Sequence, residues 1–404
     1  MNKTKIKDIA TIKNGSTPST KRADYYGGKI PWITPKDLTN WNSKYIKKGK
    51  RNITQSGYDS CSTTLIPKGS ILLSSRAPIG LLAIAKNKLC TNQGFKNFII
   101  DTKKVNNEYL FYWLKTRKDY INKLGASTTF KEVTKETIEN LEIDLPSLNT
   151  QYSISKILSD LDSKIETNNK IKSELETTLK LIYDYWFIQF DFPDKNGNPY
   201  KSSGGKMVYN KDLNREIPEN WVMKELGEEI KIKRGISYES SEIQNQGTPM
   251  INLDSFNLNG TYKKSGIKMY SGKYSDESVA KSGDLLISVT DVTRNAQIIG
   301  KGIIVPNYYS KLVYSMDVTK VIASNKLSNA YLMMLFNSEH YHSYIKWFAT
   351  GTLVLHLNLD GMKWYKTQIP PKHIIEKFDS LYDPISKQIN QIVKENQILI
   401  NKSE

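Results

Sequence analysis

The sequence predicts a mixed α/β protein built twice: two tandem α/β domains, each followed by a long helix. Three observations carry this. Between Thr150 and Phe187, residues recur with 4-3-4-3 spacing at Ile154, Leu158, Leu161, Ile165, Asn168, Lys172, Leu175, Leu179, Ile182 and Trp186, the pattern of a coiled-coil seam. The same spacing returns near the C-terminus at Phe378, Tyr382, Ile385, Ile389, Ile392, Asn396 and Leu399. Short motifs ahead of the first seam also reappear, in the same order, ahead of the second. Ordered coincidences of this kind mark an internal duplication.

The chain has 404 residues, 38% of them hydrophobic and 10% aromatic. That is enough for real cores and for two to four domains at ~100–200 residues each. No apolar run approaches the ~20 residues of a membrane span, and MNKTKIKDIATIKNG lacks the apolar core of a signal peptide. Cys61 and Cys90 form no CxxC or Cys/His cluster, which fits a reducing, cytoplasmic setting. The formal net charge is +17. It points to a polyanionic partner, nucleic acid or an acidic membrane face; a lysine-rich composition bias is the other reading.

In the first unit, Ile30–Thr34, Ser70–Ser74, Leu81–Ala85 and Asn97–Ile100 read as strands between turn residues. Glu108–Leu124 has helical spacing, and a short helix fits Thr134–Asn140. The loops carry polar and basic residues: Lys13 to Thr17, Lys47 to Arg51, Ser74-Ser75-Arg76 and Thr91-Asn92-Gln93.

The first rod, at about 1.5 Å per residue, is roughly 55 Å long. Asn168, Lys172 and Asn396 on the seams cost stability; they either fix register and partner choice or mark where the helices splay. Asp191–Asn220, with its prolines and glycines, reads as a linker. From Trp221 the plan restarts. Ile12-Lys13-Asn14-Gly15 is echoed by Ile232-Lys233-Arg234-Gly235, and Pro31-Trp32-Ile33-Thr34 by Pro249-Met250-Ile251-Asn252. Lys68-Gly69-Ser70-Ile71-Leu72-Leu73-Ser74 is echoed by Ser282-Gly283-Asp284-Leu285-Leu286-Ile287-Ser288, and Leu145-Pro146 by Ile369-Pro370. Ala330–Phe348 again has helical spacing. In the second rod, Asp383-Pro384 looks like an N-cap followed by proline at the first helical position. The expectation is a continuous helix from Pro384, only roughly 27 Å long, with His373–Tyr382 a separate turn or kinked lead-in.

No catalytic constellation emerges. Gly205-Lys206 is followed by Met207, not the Ser or Thr of a phosphate-binding loop. Asn198-Pro199-Tyr200 lies in the turn-rich linker and lacks a proline of the amino-methyltransferase motif. His340, His342, His356 and His373 have no metal-ligand spacing. The absence favours binding or scaffolding. Two basic heads held apart by a rigid rod suit duplex DNA, whose grooves repeat along one face every ~34 Å: the rod acts as a ruler, and polar loops hold phosphates and reach base edges.

The ordered set of motifs resembles the specificity subunit of type I restriction-modification systems over essentially the whole chain. It comprises the opening Leu/Ile-x-Asp/Glu followed by Ile-Lys-x-Gly and the Lys-Gly-x-Ile/Leu-Leu-x-Ser turn-and-strand. It continues with Gly125-Ala126-Ser127-Thr128, Leu145-Pro146 to Gln151, Leu161-Asp162-Ser163-Lys164-Ile165, Phe192-Pro193-Asp194 to Val208, and Ile217-Pro218-Glu219-Asn220-Trp221. The departures are the shortened second rod and the want of a Gln151 counterpart beside His373.

The resemblance implies a first target recognition domain at 1–148, a central conserved helix at 149–190 and a linker at 191–220. A second recognition domain follows at 221–372 and a distal conserved helix at 373–404, the two helices pairing as an antiparallel coiled coil. It implies a non-catalytic, cytoplasmic prokaryotic protein reading a bipartite, asymmetric double-stranded DNA site. Its partners would be two modification subunits, which use S-adenosylmethionine to methylate adenine N6, and restriction subunits using ATP and Mg; this chain itself would hold no cofactor and no metal. Candidate DNA contacts are Lys13, Ser16, Thr17, Lys21, Arg22, Trp32, Lys36, Arg76 and Asn92 in the first unit. In the second they are Lys233, Arg234, Asn252, Thr290, Arg294 and Asn295. Trp32 reads equally as core. Tyr183, Tyr185, Trp186 and Phe187 are a candidate partner-docking surface, or are buried against the chain's own second domain. Two rival classes remain: a self-sufficient methyltransferase or nuclease, against which the missing motifs argue, and a coiled-coil adaptor whose charge serves another partner such as RNA or a membrane, with weak, sequence-blind binding that collapses with salt.

Overall fold

The computed structural model describes residues 3–39, 41, 43–125, 132–211, 213–293 and 295–403. They fall into two units, residues 1–171 with 395–404, and residues 172–394. Each unit thus takes part of each long helix, and the division falls within the rods rather than at their ends.

In the first unit a five-stranded sheet runs in the order Ala10–Asn14, Phe95–Ile100, Ile71–Ser74, Leu82–Ala85, Tyr45–Ile46. A three-stranded sheet, Arg51–Ile53, Tyr26–Ile33, Cys90–Thr91, pairs its first two strands antiparallel and its last two parallel. Lys3–Lys5 closes on Glu142–Asp144. The core forms where the apolar sheet face meets helices Asn107–Thr116 and Lys118–Gly125, through Ile12, Ile71, Leu73, Phe98, Leu110, Leu114 and Ile121. The sequence reads these two helices as one, Glu108–Leu124; Arg117 leaves helical backbone and divides them.

The second unit repeats this wiring. Ile230–Arg234, Val318–Ala323, Leu285–Ser288 and Gly302–Ile304 reproduce the first four strands of the main sheet. Thr248–Ile251 pairs antiparallel with Lys268–Tyr270 and parallel with Leu312–Tyr314, as in the first unit. Val222–Glu225 closes on Lys366–Ile369. Helices Asn329–Asn337 and Glu339–Ile345 replace the single predicted Ala330–Phe348, divided at Ser338, whose side chain caps the second.

The first long helix runs from Leu148 to Tyr183 and widens into a π-turn at Asp184–Ile188. Its seam is not buried from the start: Ile154 is exposed while Gln151 and Ser155 are buried. There the helix presents a different face, to its own α/β domain. Gln151 donates to the Pro146 carbonyl at 2.9 Å and accepts the Asn106 N–H at 2.8 Å. Further on, Asp162 accepts the Tyr112 hydroxyl at 2.7 Å, and Ser159 lies 2.7 Å from Lys44 Nζ.

The second long helix corrects the sequence expectation. It is continuous from Lys372 to Ser403, with Pro384 inside it, so it is 32 residues long and roughly 48 Å at 1.5 Å per residue. Proline costs a helix interior about 3 kcal/mol. Burial of Ile374, Ile375, Phe378 and Tyr382 on the side preceding it outweighs that cost. Ile375 stands where the duplicated pattern places Gln151, so an apolar contact replaces a polar grip.

Candidate nucleic-acid interface

Both units converge their polar loops at the end of the parallel strand pair, by the same backbone connections. In the first unit the Ser16 N–H donates to the Thr91 carbonyl at 3.0 Å and the Asn92 N–H to the Ile33 carbonyl at 2.9 Å. In the second, Ile236 donates to Tyr314 and Ser315 to Ile251, both at 2.9 Å. Gly15 and Gly235 permit this approach. A Cβ at Gly15 would collide with the Thr91 and Asn92 carbonyls, and one at Gly235 with those of Tyr314 and Ser315. The repeated Ile-Lys-x-Gly pattern therefore marks a strand end that must pass against another backbone.

In the first unit this brings together Ser16, Thr17, Trp32, Lys36, Arg76 and Asn92. Trp32 is buried, with its indole N–H donating to the Ser16 carbonyl at 3.0 Å. It supports the loop rather than offering a free edge. Thr17 bonds Gln93, and Asn92 Oδ1 accepts the Gly94 N–H at 3.0 Å. Ser75 donates to the Gly94 carbonyl at 2.8 Å, which carries Arg76 to the same place. Lys36 lies on the helical turn Pro35–Leu38, capped by Thr34 and Asp37, and Lys13 is exposed one residue before the end of its strand. Lys21 and Arg22 sit in the exposed loop beyond, Arg22 forming a salt bridge to Asp24 at 2.8 Å.

Sequence reading missed Arg51. Its guanidinium lies 4.9 Å from the Tyr26 ring centroid and 6.0 Å from that of Trp32. Its place at the end of a basic run was visible, but the cross-strand register that sets it over two aromatic rings was not. Glu132 and Gln93 were missed for the same reason: their roles come from partners far away in sequence.

In the second unit Lys233 and Arg234 end their strand exposed. Asn252 is corrected to a structural role. It is 2% exposed, donates to the Gly266 carbonyl at 2.8 Å and accepts the Asp254 N–H at 2.8 Å, capping a short turn. Thr290 is also buried, in a strand pairing with His356, and so offers no free hydroxyl edge. Asn295 is exposed on a loop organised by the buried Asp291 carboxylate, which accepts N–H groups from Thr293, Ile298 and Ile299. Arg294 lies outside the described residues.

The docking set is largely core. Phe187 is 0% exposed and packs on Trp221, Tyr331 and Phe378 at 6.0, 4.9 and 5.1 Å between centroids. Tyr183 and Trp186 are buried beside it, because residues 172–394 fold as one unit around this helix end. Tyr185 alone of the four keeps an exposed ring. The 191–220 segment is likewise packed rather than loose: Phe192 stacks on Tyr200 and Trp221, and Asp191 accepts the Ser202 N–H at 2.7 Å.

Among the described residues, no group of three or more His, Cys, Asp or Glu side chains converges as a metal site, and no helix is long and apolar enough to cross a membrane. The family described as type I restriction modification DNA specificity domain matches residues 1–177 and 218–395, so the match itself falls on both copies. The MjaIX type I restriction enzyme specificity subunit of Methanocaldococcus jannaschii is 35% identical over 98% of this chain and 89% of its own length. The MjaVIII specificity subunit of the same organism is 25% identical, over 98% of this chain and 90% of its own. The crystal structure of a type I restriction-modification S subunit from M. genitalium shares the fold. It has a TM-score of 0.58 at 14% identity and covers 100% of this chain and 93% of that one. The chain therefore belongs to the type I restriction-modification DNA specificity family, as one of its non-catalytic specificity subunits.

Proposed function

We propose that this chain reads a bipartite, asymmetric double-stranded DNA site, one half with each α/β domain, and directs partner subunits to it. The observation that carries this is the duplicated strand-end junction, the same in its backbone connections but surrounded by different exposed side chains: Lys36 and Arg76 in one copy, Arg234 and Asn295 in the other. One scaffold with two sets of reading residues yields two unlike half-sites.

The long helices serve as the ruler, pairing as an antiparallel coiled coil. Support comes from each unit separately. Asn168 bonds Asn396 in the first, and Tyr183 and Trp186 pack on Phe378 in the second. Two modification subunits dock on the rods and supply S-adenosylmethionine for adenine N6 methylation. Restriction subunits, where present, supply the ATP- and Mg-dependent cleavage, and the assembly works in the prokaryotic cytoplasm. The net charge of +17 provides sequence-blind attraction to phosphate.

The test is a map of N6-methyladenine in cells carrying the cognate modification subunit with and without this chain. A split motif methylated only when both are present supports the reading. Methylation that is unchanged, or a continuous motif, overturns it in favour of a sequence-blind adaptor.

A further inference from the structure

In the first unit, the strand Ile71–Ser74 ends in a turn that is pinned from both sides. The Ser75 N–H donates to the Gly94 carbonyl at 2.8 Å, and the Ser75 carbonyl accepts the Val133 N–H at 2.9 Å. This sets Arg76 directly opposite Glu132 in an antiparallel bridge. The side chains continue the connection. Arg76 Nε donates to Glu132 Oε2 at 2.9 Å, and Lys96 Nζ donates to Glu132 Oε1 at 3.1 Å.

The three charges are not equivalent. The Lys96 side chain is 6% exposed and that of Arg76 is 49% exposed. A lysine that deep requires a carboxylate partner, so Lys96 balances Glu132 and the charge of Arg76 is left over. Arg76 commits only Nε. Among the described residues its Nη1 and Nη2 groups make no hydrogen bond. The guanidinium is therefore oriented by one edge while its two-pronged end stays available, beside the Asn92–Gly94 turn. A flexible surface arginine bound for phosphate needs no such mount. A fork held in one plane is what bidentate donation to guanine O6 and N7 requires. At the matching place in the second unit Thr290 faces His356, so that copy has no fork there.

We infer that Arg76 reads a guanine in the major groove of the half-site recognised by the first unit, with Glu132, anchored on buried Lys96, as its positioning residue. This rests on the bipartite reading proposed above and adds a base identity to one half of it.

The experiment maps N6-methyladenine motifs made by the whole complex carrying wild-type chain, Arg76→Lys, Arg76→Ala and Glu132→Gln. Arg76→Lys keeps the charge and the Lys96–Glu132 pair, so it leaves the fold intact. The expected result is that a guanine in one half of the wild-type motif loses its preference by roughly 5- to 150-fold in Arg76→Lys and Arg76→Ala. Every other position and the second half stay as they are, and Glu132→Gln relaxes the same guanine by less. The inference is overturned if Arg76→Lys leaves the motif unchanged, or if Arg76→Ala weakens all sites uniformly and lowers the salt slope of binding by about one, the mark of a phosphate contact. A wild-type complex that makes no split motif sinks the bipartite reading itself, a distinguishable result.

Discussion

Asn168 and Asn396 are buried against one another within the first unit. Asn168 Nδ2 donates to Asn396 Oδ1 at 2.9 Å and to Glu395 at 3.0 Å, and Asn396 Nδ2 donates to Asn169 at 3.0 Å. Both occupy seam positions that the heptad pattern reserves for apolar side chains. A paired buried amide contributes little net stability, but an unpaired one costs about 1–3 kcal/mol. Asn168→Leu alone is therefore expected to lower stability by about 1–3 kcal/mol, whereas Asn168→Leu with Asn396→Leu restores wild-type stability or better. Denaturant unfolding of the wild-type chain, the two single variants Asn168→Leu and Asn396→Leu, and the double variant measures this; equal losses in the single and double variants would count against a mutual pair.

The strand-end glycines give a second prediction. Gly15→Ala and Gly235→Ala each push a methyl group into two carbonyl oxygens of the neighbouring strand. Each costs about 1–3 kcal/mol, the usual penalty for overpacking. Each also disturbs recognition of one half-site only, which is read by comparing binding to duplexes mutated in either half. Binding to both halves reduced equally by Gly15→Ala contradicts this.

The grip between the first α/β domain and its helix predicts a contrast between two lysines. The Lys44 side chain is 9% exposed, bonded to Ser159 at 2.7 Å and paired with Glu108 at 3.2 Å. Lys44→Met strands part-buried acceptors and is expected to cost about 3–5 kcal/mol. Lys156, paired with Asp160 on the exposed helix surface, is expected to cost less than about 1 kcal/mol as Lys156→Ala. Thermal unfolding of both variants tests the difference.

Acid should destabilise the second unit over two pH ranges. Burial, reinforced by nearby Lys301 and Lys346, pushes the half-buried His342 from its ordinary 6.5 down to about 4. Burial opposes the charge on Glu229, but hydrogen bonds from Ser324, Lys224 and Lys326 outweigh it and hold the carboxyl at about 2 rather than 4.5. In both, the unfolded chain binds the proton first, so stability is present at higher pH and is lost as pH falls. The His342 contribution declines from pH 6.5 toward 4, and that of Glu229 from 4.5 toward 2. His342→Gln should flatten the upper part of the stability profile and Glu229→Gln the lower. A wild-type profile level from pH 7 to 4.5 contradicts the His342 assignment.

Much of this architecture was legible in the sequence because it is periodic or repeated. Ile71 to Ser74 and Leu285 to Ser288 are recognisable as the same strand, and Leu158 to Trp186 as a helix face, from spacing alone. What was not legible depends on long-range packing. Pro384 carries the local signature of a helix start, and only the burial of Phe378 and Tyr382 reveals that the helix passes through it. Asn252 and Thr290 match first-unit positions by alignment, yet they turn inward as a cap and a sheet residue. For Trp186 and Phe187 the sequence leaves docking and burial equally open; Phe378 packed on Trp186, and Trp221 and Tyr331 packed on Phe187, decide for burial. Arg51 stands out only as the end of a basic run and Glu132 not at all, because a cross-strand aromatic pair and a buried lysine, both remote in sequence, give them their surroundings.

The most direct test of two independent reading heads is to replace residues 1–148 with the corresponding domain of another specificity subunit and map N6-methyladenine with the cognate modification subunit. One half of the split motif should change to the donor's, while the other half and the intervening gap stay the same. A motif altered in both halves, or in neither, would contradict the account.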